Sequence, residues 1–439
     1  MPTAAFYTLG CKVNQHDSNA IMQAFVAAGF TITEPQQLAD IYIVNSCAVT
    51  AAGEKKSLQA LRRFRRQAPD ALIVLCGCFA QAFPEKAKLA AQADIVLGSK
   101  NRGAVLGAVT QKLAGKEGRL VDIPEYTDSE PFEDLAPPGV PVAKSTRAFL
   151  KIQDGCSRQC AYCIVPTARG PVRSKPLGDI RKDLEKLAAA GHKEAVLAGV
   201  NLCCYGHDLS ISLIDALETA LDIPGLSRIR FGSLEPDMIT DDDISRMAQL
   251  SEKNRQGALL CDQFHICLQS GNDRTLRRMN RQYDTALYRS VAQKLRDAFP
   301  GCAITTDLIV GFPGESDDDH RASLDFVREI GFARAHIFVY SPRPGTPAAD
   351  LPERIPAHIA SRRAKEMGEV AEKGREAFLR TRIGKVYPVL FESEKDGFCF
   401  GHTPCYTPVW IRSAADIRGE VLNVRMTELR EGGCVGVVG

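Results

Sequence analysis

Three cysteines crowd the stretch FLKIQDGCSRQCAYC: Cys156, Cys160 and Cys163, in the spacing CxxxCxxC. Thiolates so placed hold a metal or a cluster, and the ligand count narrows which. A structural zinc normally takes four ligands, commonly from two CxxC-type pairs, and no fourth Cys or His stands near this trio. A cubane iron-sulfur cluster held by three thiolates keeps one iron open to a small molecule. A zinc site, or three buried thiols acting as small hydrophobes, are the alternatives.

A second trio depends on the elements that carry it. FYTLG, IYIVNS, ALIVLCG and DIVLG read as strands. Between them DSNAIMQAFVAAG, with Asp17 as the expected N-cap and Gly29 as the stop, GEKKSLQALRRFRRQ and PEKAKLAAQ read as helices. Alternation of this kind implies a doubly wound parallel sheet. Cys11, Cys47 and Cys78 each follow one of its strands, and the carboxyl ends of such strands form the ligand crevice. Strand alternation puts Cys76 on the same side as Cys78, as a spare thiol or a competing ligand.

The rest of the chain fits an α/β protein of three parts. At roughly 150 residues per domain, 439 residues suggest about three domains. Residues 1–120 form the parallel-sheet domain, and 121–144, rich in Pro and acidic residues, form a linker. Residues 145–374 alternate strand and helix as a partial (β/α)6-type barrel, with the CxxxCxxC loop after its first strand. Residues 375–439, with short strand patterns such as GFCFGHT and YTPVWIRS, form a small antiparallel β-barrel.

Composition bounds the setting. No apolar stretch reaches the roughly 18 to 20 residues of a membrane helix. MPTAAFYTLG lacks a basic n-region, so a cytoplasmic protein without a membrane partner is expected. In that reducing compartment the 15 cysteines suit metal binding or catalysis better than disulfides. A net charge of +2 neither demands nor excludes nucleic acid, so local basic clusters must decide.

The CxxxCxxC loop, with Tyr162 before its last cysteine, resembles the signature of the radical-SAM superfamily, whose open iron is chelated by S-adenosylmethionine (SAM). AGVNLCCYG, SLEP and TTDLIVGFPGES resemble the superfamily's SAM-contacting strand ends. That resemblance implies cofactor contacts from Tyr162, Gly199, Asn201, Ser233, Glu235, Gly311 and Gly314. Together with TLGCKVNQHDS, NSCAVT, GCFAQ and LQSGNDRTLRRMNR, the whole chain resembles the methylthiotransferases, which join an N-terminal cluster domain, a radical-SAM core and a C-terminal TRAM domain. LGCKVNQ, ARGPVRSKP and YSPRPGTPAA are most similar to the branch acting on threonylcarbamoyladenosine in tRNA. Sister branches act on isopentenyladenosine and on a ribosomal-protein aspartate.

The resemblance implies two [4Fe-4S] clusters, on Cys11, Cys47 and Cys78 and on Cys156, Cys160 and Cys163, and two SAM molecules. It further implies a tRNA anticodon stem-loop as partner, with an unidentified sulfur donor and reductant. Carbon 2 of adenine has no acidic proton and no leaving group, so the implied reaction is a radical one begun by the cofactor. Basic groups that could follow RNA phosphates are Arg169, Arg173 and Lys175 beside the cluster loop, Arg380 and Arg382 near the C-terminal barrel, and the runs Arg62 to Arg66 and Arg274 to Arg281. A solvated helix face explains such runs equally well. A non-catalytic iron-sulfur or zinc RNA-binding protein is the alternative of another class.

Overall fold

The computed structural model describes residues 1–135, 146–253 and 257–439. The part of the expected linker from 136 to 144 lies outside the described residues.

The first sheet is wholly parallel and has six strands. In chain order they are β1 (Thr3–Thr8), β2 (Thr31–Thr33), β3 (Ile41–Ser46), β4 (Leu72–Gly77), β5 (Ile95–Leu97) and β6 (Leu120–Asp122). Their spatial order is β2-β1-β3-β4-β5-β6, so the winding direction reverses between β1 and β3. At such a reversal the loops leave in opposite directions and open a crevice. Cys11 follows β1 and Cys47 follows β3, which puts one cysteine on each lip.

Helices α1 (Lys12–Ala27) and α2 (Ala51–Gln67) cover the sheet. The α1 residues Ile21 and Phe25 pack with Phe6 and Ile43. On α2, Leu61 and Phe64 enter the other core, where Phe64 stacks on Tyr42 at 4.3 Å between ring centroids. Thr50 caps α2 by accepting from the Gly53 N–H at 3.1 Å. Asp17 is not an N-cap as expected: α1 already begins at Lys12, and Asp17 lies buried within it. A charged partner set, described below, holds it there.

Cys76 and Cys78 do not share a side. β4 ends at Gly77, whose φ of +94° turns the chain, and Cys78 opens the short helix α3 (Cys78–Ala82). Cys76 enters the core of Phe6 and Ile43, whereas Cys78 joins that of Phe64 and Phe79. A Cβ on Gly77 would lie 2.3 Å from Asn45 Oδ1, so the turn requires glycine.

The central part has two four-stranded parallel sheets. One pairs β7 (Arg147–Lys151) with Glu194–Ala198, Arg228–Phe231 and Leu259–Leu260. The other pairs Ser233–Leu234, Gln263–Ile266, Ala303–Val310 and Arg334–Val339. Gly232 interrupts one run whose halves belong to different sheets, so the two curve into a partial barrel around one apolar core. On the last strand, His336 and Phe338 are exposed because the barrel is open beside them.

The helix Ala357–Arg380 then leads to a five-stranded closed barrel, so the expected boundary at residue 375 falls inside a helix. The barrel is not purely antiparallel: Pro408–Arg412 and Gly433–Val438 pair in parallel. It docks on the core through buried arginines. Arg228 donates to His402 O at 2.8 Å and to Pro388 O at 2.7 Å, and Arg230 donates to Pro404 O at 2.8 Å.

Candidate active site

The loop bearing Cys156, Cys160 and Cys163 leaves the short strand Gln153–Asp154 through Gly155. Its φ is +71°, and a Cβ there would meet Pro171 O at 1.7 Å. The Arg158 N–H points at Cys156 Sγ from 3.4 Å, and Arg281 Nη1 donates to Cys160 Sγ at 3.0 Å. Arg281 is held in turn by Glu235 and, at 3.0 Å, by the Tyr283 hydroxyl. Burial pushes the Cys163 thiol up to about 12 and raises Cys156 as well. Such thiols stay protonated until a cation takes them as thiolates.

These residues fit an iron-sulfur cluster. The sulfurs are half-buried, N–H donors already point at two of them, and such donors are what cluster sulfurs accept. Asn201 places Nδ2 4.0 Å from Cys156 Sγ and leaves its buried Oδ1 without a partner, as a side chain awaiting a ligand would. Tyr162 packs edge-on to Phe312 beside the loop, and Glu235 reaches the loop through Arg281. Gly199 closes against Gln153, where a Cβ would lie 2.7 Å from Oε1, and Ser233 is exposed. Gly311 and Gly314 form left-handed turns packed on Ala360 and on Arg278, and the Gly311 N–H donates to buried Glu315 at 2.7 Å.

The structure also brings Cys11, Cys47 and Cys78 together. Burial and the neighbouring Cys78 and Cys11 push the Cys47 thiol up to about 11. Gly10, with φ +104°, fits so closely that a Cβ would lie 3.1 Å from Cys47 Sγ. Arg169 Nε donates to Cys78 Sγ at 3.3 Å.

That arginine was expected to face RNA, and the structure corrects this. Arg169 is 2% exposed. It is held by Asp154 at 3.0 Å, Asn14 at 2.6 Å and Asp17 at 3.1 Å. Lys151 joins Asp17 at 2.8 Å and Asp154 at 3.2 Å, and Arg102 joins Asp17 at 3.1 Å. Arg173 also approaches Asp154, at 3.7 Å, so four cations surround the two carboxylates, and Arg102 pairs with Glu133 as well, at 3.2 Å. Both carboxyls are held well below their usual range despite burial, which alone would raise them, because these cations surround them. Arg173 is buried over the Tyr126 ring, and Lys175 is buried on Asp183 and Asp134.

Other basic residues are engaged by partners within the protein, whether buried or exposed. Arg274 and Arg278 bind the backbone of the Pro313–Gly314 turn, and Arg65 pairs with Asp94. Arg382 is buried against Phe378 and Tyr387, while Arg380 is exposed and paired with Glu376. On the small barrel, exposed Arg412 and Arg430 lie over half-buried Phe398, and Arg430 also stands 5.0 Å above the Trp410 ring centre.

A cleft of about 220 Å³ opens beside Cys163 and the residues just after Cys47. Its walls include Val49 and Thr50 just after Cys47, Cys163 and Ile164, and Gln269, Phe338 and Tyr340 from the open side of the barrel. Ser341 accepts from the Ala51 N–H at 3.0 Å, and Arg343 pairs with Glu54 at 2.7 Å, so one edge is latched across the domains. Asp307 lies in the wall between two imidazoles, 3.5 Å from His265 Nε2 and 3.1 Å from His336 Nδ1. Those hydrogen bonds hold its carboxyl below the usual range, although burial opposes them. Gln269 has φ +65°, an uncommon conformation for its type and one that concentrates at functional sites. Sequence reasoning missed Gln269, Asp307 and the sulfur contact of Arg281, because only folding brings them to the cysteines.

Residues 3–98 match the model described as Uncharacterized protein family UPF0004, and residues 150–327 match the Radical SAM superfamily. The chain is similar to the threonylcarbamoyladenosine tRNA methylthiotransferase MtaB of Bacillus subtilis, at 34% identity over 435 residues covering 97% of this chain and 94% of the relative. It is also similar to the tRNA-2-methylthio-N(6)-dimethylallyladenosine synthase of Akkermansia muciniphila, at 32% identity over 454 residues, 98% of this chain and 97% of the relative. Among solved structures it is similar in fold to the radical SAM methyltransferase TsrM of Kitasatospora setae, with a TM-score of 0.56 at 13% identity over 79% of this chain and 74% of that one.

Proposed function

The chain belongs to the radical-SAM methylthiotransferase family and is a tRNA methylthiotransferase, and we propose that its substrate is N6-threonylcarbamoyladenosine at position 37 of the anticodon loop, methylthiolated at C2. The family implies a [4Fe-4S] cluster and SAM. In our reading there are two clusters, one on each trio, and two SAM molecules per turnover. The observation that carries this reading is the cleft, which meets Cys163 on one wall and the residues after Cys47 on the other.

When bound, the cofactors supply the radical that removes the C2 hydrogen and the sulfur that replaces it. The protein does the positioning. Arg281 and the Arg158 N–H steady the sulfurs of the first trio, while Arg169 steadies Cys78. Asn201, Tyr162 and Glu235, with Gly199, Ser233 and the Gly311 and Gly314 turns, are assigned to the SAM side. Phe338, Tyr340 and Ile309 line the cleft and keep water from the base. Residues 1–120, 145–374 and 375–439 serve as cluster, radical and RNA-gripping units, joined at 121–144. An unidentified sulfur donor and a reductant complete the cycle.

No helix among the described residues is long and apolar enough to cross a membrane, and the site of action is assigned to the cytoplasm with the tRNA pool. The test is mass spectrometry of tRNA nucleosides from cells lacking the gene. The methylthio form of threonylcarbamoyladenosine disappears and its unmodified precursor accumulates. Loss of the methylthio-isopentenyl nucleoside instead would transfer the chain to the branch of the Akkermansia muciniphila relative.

A further inference from the structure

A second cavity, of about 560 Å³, lies at the foot of the barrel, away from the cysteine trios. Gly301, Cys302 and Ile304 form one side of it, where the strand Ala303–Val310 begins. The cleft meets the same strand at Asp307 and Ile309, toward its other end. At about 3.3 Å per residue, Ile304 and Ile309 stand roughly 17 Å apart, so the two cavities are separate. The opposite side comes from the helix Ala357–Arg380, where Val370, Lys373, Gly374 and Ala377 recur on one face. Gly374 lets that helix approach the barrel, since a Cβ there would lie 3.1 Å from Phe332 O.

The charge of the lining is one-sided. Arg296, Arg328, Lys373 and Arg382 line the cavity, and no Asp or Glu among the described residues does. Arg328 pairs with Asp325 at 2.5 Å, one turn back on its own helix. Among the described residues Arg296, Lys373 and Arg382 form no ion pair, and Arg296 is held at the wall by donating to Ile330 O at 2.5 Å.

Arg382 is 5% exposed and lies 4.1 Å from the Phe378 ring centre, with Nη1 donating to the Tyr387 hydroxyl at 3.1 Å. Its buried Nε has no partner. A Cβ on Gly301 would lie 3.5 Å from Nη1 and 3.7 Å from Nη2, so the guanidinium reaches the wall that carries Gly301. Asp262 lies in its field but beyond ion-pair distance, and burial raises that carboxyl. A buried cationic N–H without an acceptor is costly, and the oxygens of an anion remove that cost.

We propose that this cavity is a phosphate site for the backbone of the substrate tRNA, held by Arg382 and Arg296 within and by Lys373 and Arg328 at the mouth. This rests on the tRNA reading above and adds a contact remote from the modified base. Arg382 already covers Phe378, so the cavity offers cations rather than a stacking surface for a base. Such a contact positions the RNA without reading its sequence, and it displaces counterions.

The test is equilibrium binding of full-length tRNA to the reconstituted enzyme without SAM, over a range of KCl concentrations. Two tRNAs of one sequence carry threonylcarbamoyladenosine or plain adenosine at the modified position. The double variant Arg328→Gln, Lys373→Gln, altered only at exposed residues, weakens both tRNAs by the same factor. It also lowers the slope of log affinity against log salt by about one. Iron and sulfide contents of the double variant match the wild type. Arg382→Gln, where circular dichroism shows it folded, changes the slope in the same way.

An unchanged slope in the double variant would overturn the proposal. Weakening confined to the modified tRNA would overturn it too, by tying these cations to the cleft. Adenosine monophosphate alone is the third probe. If it raises the melting temperature of the wild type but not of the double variant, while the tRNA slopes stay equal, the cavity takes a free nucleotide and the RNA assignment falls. If the wild type binds no tRNA, the tRNA reading fails and the proposal with it. If the wild type binds tRNA and only the slope difference is missing, the cavity alone loses its role.

Discussion

Arg169 Nε lies 3.3 Å from Cys78 Sγ although the two residues are 91 positions apart and belong to different domains. The guanidinium is buried and fully engaged, so it acts on Cys78 as a fixed N–H donor and a fixed positive charge. Arg281 stands in the same relation to Cys160, at 3.0 Å.

Arg169→Gln removes that donor and leaves Asp154 and Asp17 short of a cation. Breaking a buried ion network from one side costs about 3–5 kcal/mol, so a marked fall in melting temperature is expected. Hydrogen bonds to cluster sulfurs and nearby positive charge favour the reduced state. The potential of the cluster on Cys11, Cys47 and Cys78 should therefore become more negative in Arg169→Gln and move less in Arg169→Lys. An EPR-monitored redox titration reads both, and an unchanged potential in folded Arg169→Gln would contradict the contact.

Iron counting separates the thiols. Replacing Cys156, Cys160 and Cys163 together by Ala should lower the iron of the anaerobically reconstituted chain from about eight to about four, and the Cys11, Cys47 and Cys78 triple variant should do the same. Cys76→Ala should keep all the iron, because Cys76 faces the other core. Loss of iron in Cys76→Ala would place that thiol among the ligands.

Gly77→Ala forces a side chain into a left-handed turn and against Asn45 and Ser46. A cost of about 1–3 kcal/mol is expected from backbone strain, with a further loss from the contacts. Cluster content should fall along with stability, since the turn aims Cys78. Thermal melts and sulfide analysis on one sample check both, and a variant as stable as the wild type would show that the turn tolerates a side chain.

Acid should loosen the protein at two histidines away from the cysteines. His320 lies 2.9 Å from Glu366 and His402 lies 2.7 Å from Glu392. Burial nevertheless holds both imidazoles below the ordinary histidine value. The unfolded chain then takes up protons, as pH falls through about 6.5, that the folded chain refuses. The contribution is complete above that pH and shrinks below it. Melting temperatures between pH 7.5 and 5.5 should fall, and less steeply in a His320→Gln, His402→Gln double variant.

The fold was largely legible because strands such as IYIVNS are continuous apolar runs and cysteines follow them. The short edge strands Thr31–Thr33 and Leu120–Asp122 and the helix Ala104–Leu113 carry too little pattern to stand out. The convergence of Cys11, Cys47 and Cys78 was readable from their positions at strand ends. The arginines were not, since a basic run looks the same whether it faces solvent, as Arg62 does, or a buried carboxylate, as Arg169 does. Asp17 misled for the same reason: an acidic residue near a helix start suggests a cap until the partner from another domain is known. Only tertiary structure supplies Lys151 and Arg102.

The charged contact around Asp17 and Asp154 ties the surroundings of Cys78 to two domains at once. Cys11, Cys47 and Cys78 come from the first domain alone, but the arginine that addresses Cys78 arrives with the second. An isolated first domain would present the three thiols with Asp17 facing Arg102 and no Lys151. Docking thus completes the surroundings of Cys78, since the first domain holds the three thiols and the second brings the donor that addresses one of them.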